Sequence, residues 1–329
     1  MWFPISAKRE AKSPVHGSSH KSNLNNNCSL GRQLHPIVGL VLVYAKLFLG
    51  YVKARSNVYI FPVASLISLL IGSHGNPDPL IALLAATSCY LCALATYVYN
   101  DITDVQVDKI NRTNRPSITR SNIKGELVKL VTILYACSLA LAVFINIPAF
   151  LIVTTCTIMG IIYSHPKLNL KEKFPFKTVL TAMGAGLSSL YGGVAIQAGI
   201  FSLPVIYASL SFFAFFFILG PLGDIGDLRG DRVVGRRTFP IVIGMAPTLA
   251  MMFSVPAAII ASITILYCLY SGSINMVGFM TVIATCFTTL ALLFIICKKL
   301  DQVSQIRSTR HRMRILHVSL QLSLLLSFL

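Results

Sequence analysis

Three aspartates in the stretch NDITDVQVDKINRTNRP (100–116), Asp101, Asp104 and Asp108, are spaced three and then four apart. On a helix that spacing sets all three carboxylates on one face. Like charges so placed repel, so the arrangement calls for a bound cation rather than serving helix stability. The same spacing returns in GDIGDLRGD as Asp224, Asp227 and Asp231. Six of the eleven acidic residues of the chain fall in these two motifs, a clustering that a solvated loop would not need. Mg²⁺ prefers oxygen ligands, commonly one or two carboxylates completed by substrate phosphates and water. Two acidic faces brought together could hold Mg²⁺ around a diphosphate, neutralise it as a leaving group, and steady the charge that develops as a C–O bond breaks. Basic residues near the motifs are candidates for phosphate: Lys167 and Lys171 in one connection, Arg229, Arg232, Arg236 and Arg237 in another.

The elements that must position these groups are apolar helices. The chain has 329 residues, 55% of them hydrophobic and only 12% charged, where a soluble domain carries about 25% charged residues. Several apolar runs reach the ~20 residues that cross a bilayer as a helix, and the alternation of a barrel strand is absent. The expected fold is all-α and polytopic, with nine spans at 55–72, 79–99, 127–145, 148–163, 178–198, 203–221, 243–270, 275–297 and 313–329. The seventh span is overlong and contains Pro247 and Pro256, so it is expected to be tilted or broken. Residues 1–35, rich in Ser, Asn, Lys and His, read as a disordered basic tail. Residues 36–54 read as an interfacial segment leading into the membrane domain, 55–329.

The formal charge of +17 could point to nucleic acid. Its distribution points to a membrane instead, because all 28 Lys and Arg fall on one face of the drawn topology. By the positive-inside rule that face is cytoplasmic, together with the N-terminus and both acidic motifs. Each motif follows an even-numbered span, and NDITDVQVDK aligns with GDIGDLRGDR without a gap. Spans one to four and five to eight then read as two copies of one four-helix unit facing a central cavity.

These residues together are similar to the UbiA superfamily of intramembrane prenyltransferases. The superfamily's first motif, NDxxDxxxD, is matched by Asn100, Asp101, Asp104 and Asp108, and its DxxDxxxD-type second motif by Asp224, Asp227 and Asp231. A Tyr-Ser-x-Pro segment followed by Leu and Lys is matched by Tyr163, Ser164, Pro166, Leu168 and Lys171. Arg55 and Asn57 stand where the superfamily carries polar residues at the start of the first span. The resemblance implies nine helices around a lipid-accessible cavity and Mg²⁺-dependent prenyl transfer from a diphosphate. On that resemblance the six aspartates would ligate Mg²⁺, Asn100 would orient the diphosphate, and Lys167, Lys171, Arg229 and Arg232 would bind phosphate. Tyr163 would hydrogen-bond the diphosphate or flank the cation. Replacing Asp104 or Asp227 by Ala is expected to abolish turnover and leave folding near normal.

The first motif is closest to the NDxxDxxIDxINRPxRP pattern of archaeal digeranylgeranylglyceryl phosphate synthases, which implies a geranylgeranyl donor and a glyceryl phosphate acceptor. The second motif equally resembles branches that prenylate aromatic rings. A membrane terpene cyclase keeps the fold and changes the chemistry. A transporter is the alternative of another class, although the acids lie at one membrane face rather than mid-span. Cys89 and Cys92 form a CxxC with no second pair or nearby histidine and read as small packing residues. Gly184, Gly186, Gly192 and Gly193 read as points of close helix approach.

Overall fold

The computed structural model describes residues 36–110, 117, 123–196, 202–270, 272–300 and 302–329. The tail 1–35 and the second half of the first motif, 111–116, lie outside the described residues. Residues 46–329 form the compact unit that carries the site.

Thirteen α-helices are described: α1 Pro36–Ala54, α2 Ile60–Gly72, α3 Pro79–Thr103, α4 Val105–Ile110, α5 Lys124–Ile145, α6 Ile147–Ser164 and α7 Phe176–Ala195, then α8 Leu203–Gly226, α9 Leu228–Val233, α10 Phe239–Val242, α11 Met245–Leu269, α12 Met276–Cys297 and α13 Val303–Phe328. Each of the nine expected spans is helical. Six of these helices, α3, α5, α6, α8, α11 and α12, are long and apolar enough to cross a membrane, and a bent pair meeting at Arg55 makes a seventh. The other two expected spans, α7 and α13, fall short by composition. The first is diluted by Gly, Ser and Thr, and the second starts ten residues before the expected boundary. That early start takes Arg307, Arg310 and Arg312 onto the helix rather than leaving them in a connection.

Local sequence explains where the helices begin. Asp78 caps α3 by accepting from the amides of Leu80 (2.7 Å) and Ile81, with Pro79 at the first position. Asn146 does the same for α6 through Ala149 N–H (2.7 Å), and Asn275 for α12 through Val277 N–H (2.9 Å). Each cap satisfies amides that the helix itself leaves open. Of the two outcomes expected for the seventh span, tilted or broken, the break does not occur within Met245–Leu269. Pro247 lies in the first turn of α11, where no amide donor is needed, and Pro256 is carried inside a continuous helix.

Helices α2, α7 and α8 pack on one another at the centre of the unit. Gly192 on α7 is the closest approach: a Cβ there would collide with the Ser65 carbonyl on α2. Nearby, the Ser68 and Ser189 hydroxyls are 2.6 Å apart across the same pair. Gly186 and Gly193 sit against Phe213 and Val205 of α8, whereas Gly184 has open space above it and faces the cavity. Phe212, Phe215 and Phe216 are buried around His317, and only Phe216 of this group reaches the cavity wall.

Candidate active site

Both acidic motifs break their helix at the middle aspartate. Helix α3 ends at Thr103, Asp104 takes a non-helical conformation, and the short α4 follows. Helix α8 ends at Gly226, Asp227 takes nearly the same conformation, and the short α9 follows. The i to i−4 hydrogen bonds run through both breaks, from Asp104 N to Asn100 O and from Asp108 N to Asp104 O (2.9 Å each). In the second motif they run from Asp227 N to Gly223 O and from Asp231 N to Asp227 O (3.0 Å each). The helical pitch therefore survives, and the two copies fold alike.

The repulsion expected among the carboxylates is relieved by cations from distant parts of the chain. Arg55 donates to Asp101 from Nε (2.9 Å) and Nη2, and its guanidinium lies over the Tyr97 ring. Asp104 is paired with Lys171 (2.8 Å) and Arg236. Lys177 sits 2.7 Å from Asp224 and 3.0 Å from Asp231. Arg236 also reaches Asp231 (3.5 Å), so one guanidinium touches both motifs. Asp227, partly exposed, meets Arg307 at 3.4 Å. Lys171 donates to Thr103 Oγ1 (2.6 Å) and Asn100 Oδ1 (3.3 Å), and Ser164 Oγ also donates to that Asn100 oxygen (3.3 Å).

Burial alone would raise the Asp104 carboxyl, but Lys171 and Arg236 outweigh it and hold the group below the usual carboxylate range. Burial pulls the Lys171 ammonium below its ordinary value against the opposing pull of Asp104. Burial also opposes the charge on Arg236, yet Asp104 and Asp231 raise that guanidinium above its ordinary value. Asp104 and Arg236 therefore face each other as a charged pair.

Beneath it lies a cavity of about 260 Å³. Its mouth is lined by Asn100, Asp104, Asp108, Tyr163, Asp224, Asp227 and Asp231, with Arg55, Lys177, Arg236 and Arg310 among them. Its inner walls come from Thr96, Cys92 and Cys89 on α3, Met159, Cys156 and Ile152 on α6, and Thr181, Leu187 and Tyr191 on α7, with Phe61 of α2 and Phe216 of α8. From Tyr163 back to Ile152 the wall descends roughly 16 Å, and from Lys177 to Tyr191 roughly 21 Å, at 1.5 Å per residue. A charged mouth over a long, mainly apolar shaft suits a molecule with an anionic head and a hydrocarbon tail.

The structure thus brings together Asn100, Asp104, Asp108, Tyr163, Asp224, Asp227, Asp231 and Arg55, as the motifs led one to expect. Asp101 is turned away from the cavity, fully buried against Arg55. Lys171 is buried behind Asp104 rather than on the wall. Lys167 is exposed on its connection, Arg229 and Arg232 are exposed on the short α9, and Asn57 is off the cavity wall. Lys177 and Arg310 had not been singled out. The signal for Arg310 was periodic: it shares a stripe with Ile306, Met313 and His317, which are buried on α13. Cys89, Cys92 and Cys156 line the cavity as well as packing.

Among the described residues no three carboxylates converge into a ready-made metal group. Mg²⁺ does not require one, since it usually takes one or two carboxylates together with substrate phosphates and water. Asp224 Oδ2 fits that description, being buried at the cavity with no hydrogen-bond partner. The donor set is all oxygen, as a hard cation demands.

Fold and cavity together define a polytopic membrane enzyme that works on an amphiphile at a charged mouth. The sequence model of the UbiA prenyltransferase family matches residues 60–317, and the chain belongs to that family and is a prenyltransferase. It is 27% identical over 217 residues to a digeranylgeranylglyceryl phosphate synthase of Sulfurisphaera tokodaii, covering 66% of this chain and 69% of the relative. A solved structure described as digeranylgeranylglyceryl phosphate synthase in membranes superposes with a TM-score of 0.66 at 20% identity, covering 86% of this chain and 98% of that one. A UbiA homolog from Archaeoglobus fulgidus bound to GPP and Mg²⁺ superposes with a TM-score of 0.59 at 21% identity, covering 84% and 99%.

Proposed function

We propose that the protein transfers a geranylgeranyl group from its diphosphate to a (geranylgeranyl)glyceryl phosphate in the membrane, in a Mg²⁺-dependent reaction. The observation that carries the reading is that both acidic motifs open onto the mouth of one deep, mainly apolar cavity. The acceptor rests on the first motif and on the names of the relatives.

Asp104, Asp108, Asp224, Asp227 and Asp231 would hold Mg²⁺ directly or through water, and the metal would neutralise the diphosphate as it leaves. Lys177 and Arg236, now spent on carboxylates, are placed to turn to phosphate oxygens. Asn100, held by Lys171 and Ser164, orients the head of the donor. Asp101 holds the Arg55 guanidinium at the mouth instead of serving as a ligand. Tyr163 hydrogen-bonds the diphosphate or flanks the allylic carbon as positive charge develops on it. Ile152, Met159 and Leu187 keep water from that carbon, which protects it from hydrolysis. The exposed Lys167, Arg229 and Arg232 attract anionic heads towards the mouth rather than grip them. By the positive-inside rule, the mouth and the N-terminus face the cytoplasm.

The test is an acceptor panel. Purified protein, Mg²⁺ and geranylgeranyl diphosphate are incubated with a glyceryl phosphate, with an aromatic acceptor, or with neither, and the products are identified. An ether-linked glyceryl phosphate product supports the reading. Prenylation of the ring alone, a cyclised hydrocarbon without acceptor, or liposome flux with no diphosphate release would each replace it.

A further inference from the structure

Four cations line the cavity: Arg55, Lys177, Arg236 and Arg310. The first three are committed to carboxylates, Arg55 to Asp101, Lys177 to Asp224 and Asp231, and Arg236 to Asp104 and Asp231. Arg310 differs. Among the described residues it forms no ion pair, and its Nε is buried with no hydrogen-bond partner. Its guanidinium lies against Gly223, where a Cβ would fall 2.7 Å from Cζ and Nη2. The residue that follows, Asp224, pairs with Lys177 at 2.7 Å, and Arg310 feels its charge only from beyond ion-pair distance.

A buried guanidinium nitrogen without an acceptor is costly, and the cost disappears when an anion arrives. The planar fork of arginine suits a phosphate, which it can bind through two parallel hydrogen bonds. The reaction proposed above brings two anions to one mouth, the diphosphate of the donor and the phosphate of the acceptor. The cations paired with the aspartates stand where donor and metal would bind. A second phosphate needs a cation of its own, and among the described cavity cations Arg310 is the one with no carboxylate within ion-pair distance.

We propose that Arg310 binds the phosphate of a glyceryl phosphate acceptor and so selects phosphorylated acceptors over aromatic ones. This rests on the acceptor reading given above. Gly223 makes the site possible, because its missing side chain leaves room for the guanidinium on α8.

The experiment is steady-state kinetics on the purified full-length protein with Mg²⁺, using wild type, Arg310→Ala, Arg310→Lys and Gly223→Ala, with the melting temperature of each recorded. Arg310→Ala is expected to raise the KM for geranylgeranylglyceryl phosphate about tenfold or more, the scale of a charge-assisted hydrogen bond. The KM for geranylgeranyl diphosphate should stay within about twofold, since that anion has other cations. Arg310→Lys should recover part of the loss, and Gly223→Ala should shift the acceptor KM in the same direction by displacing the guanidinium. A second arm uses the dephosphorylated acceptor, geranylgeranylglycerol. Wild type should bind it as poorly as Arg310→Ala binds the phosphorylated one, with no further loss in the variant. A rise in donor KM, or an equal loss on both acceptors, would overturn the proposal in favour of a diphosphate-binding or structural role. If wild type ignores glyceryl phosphates and prenylates an aromatic ring, the acceptor reading itself has failed, and this proposal with it.

Discussion

Arg236, in the connection after the second acidic motif, donates a hydrogen bond to Asp104 in the first. Through Nη1 the same side chain reaches Asp231 (3.5 Å). A single buried guanidinium therefore sets the separation of the two motifs, which sequence spacing alone could not fix. Breaking a buried ion pair by removing one partner leaves charge stranded in a poorly solvated place.

Arg236→Ala is accordingly expected to cost about 3 kcal/mol of stability, the scale for a broken buried pair. It should also lower turnover by letting the motifs drift apart. Thermal melts of detergent-purified protein, paired with initial rates, check both effects. An unchanged melting temperature would show that Arg236 does not fasten the two halves.

Asp104 and Asp227 should no longer behave alike. Asp227 is partly exposed and its contact with Arg307 is a surface pair, so Asp227→Ala should leave the melting temperature within error. Its turnover should still fall by about 10²-fold or more, as when a preorganised electrostatic contact is removed. Asp104→Ala would strand Lys171 and part of Arg236, adding a stability loss of about 3–5 kcal/mol. Near-normal folding is therefore expected for Asp227→Ala and not for Asp104→Ala. The melting curves of the two variants decide the point.

Chelation should separate activity from folding. The aspartates are already balanced by lysines and arginines, so metal is not needed to hold the helices together, unlike small domains that unfold without it. Excess chelator is expected to abolish turnover while moving the melting temperature little, and added Mg²⁺ should restore the rate. A large fall in melting temperature on chelation would show that the paired state is not the stable metal-free form.

Gly192→Ala tests the α2–α7 seam. The added methyl would meet the Ser65 carbonyl, a backbone atom that cannot rotate away. Overpacking typically costs about 1–3 kcal/mol, and a backbone collision belongs at the upper end. Gly184→Ala, with open space above it, should be nearly neutral for stability, and comparative melts of the two variants measure the contrast.

Much of this arrangement was legible in the chain. The paired motifs, the all-helical apolar fold and the meeting of both motifs at one cavity follow from spacing, apolar runs and the distribution of charge. The partners of the aspartates were not legible. Arg55 lies 46 residues from Asp101, and Arg236 lies 132 residues from Asp104, separations that no local pattern encodes. By spacing Asp101 is equivalent to Asp104, and what sets it apart is its distant partner: Arg55 holds its carboxylate off the cavity wall, whereas Asp224, its counterpart in the second motif, lines the cavity. The basic run 307–312 lies before the expected start of the last span, because its charge interrupts the apolar pattern. On the structure it is helix, and its periodicity is what carries Arg310 inward.

Tyr191 is the deepest cavity-lining residue on α7 and is almost fully buried. A donor tail running straight down the shaft would meet this ring, and its length in isoprene units would then be limited by the depth of Tyr191. Tyr191→Ala should let donors one or two units longer compete with geranylgeranyl diphosphate in a mixed-donor assay. Unchanged donor preference in a well-folded variant would mean that the tail leaves the shaft sideways into lipid before it reaches the ring.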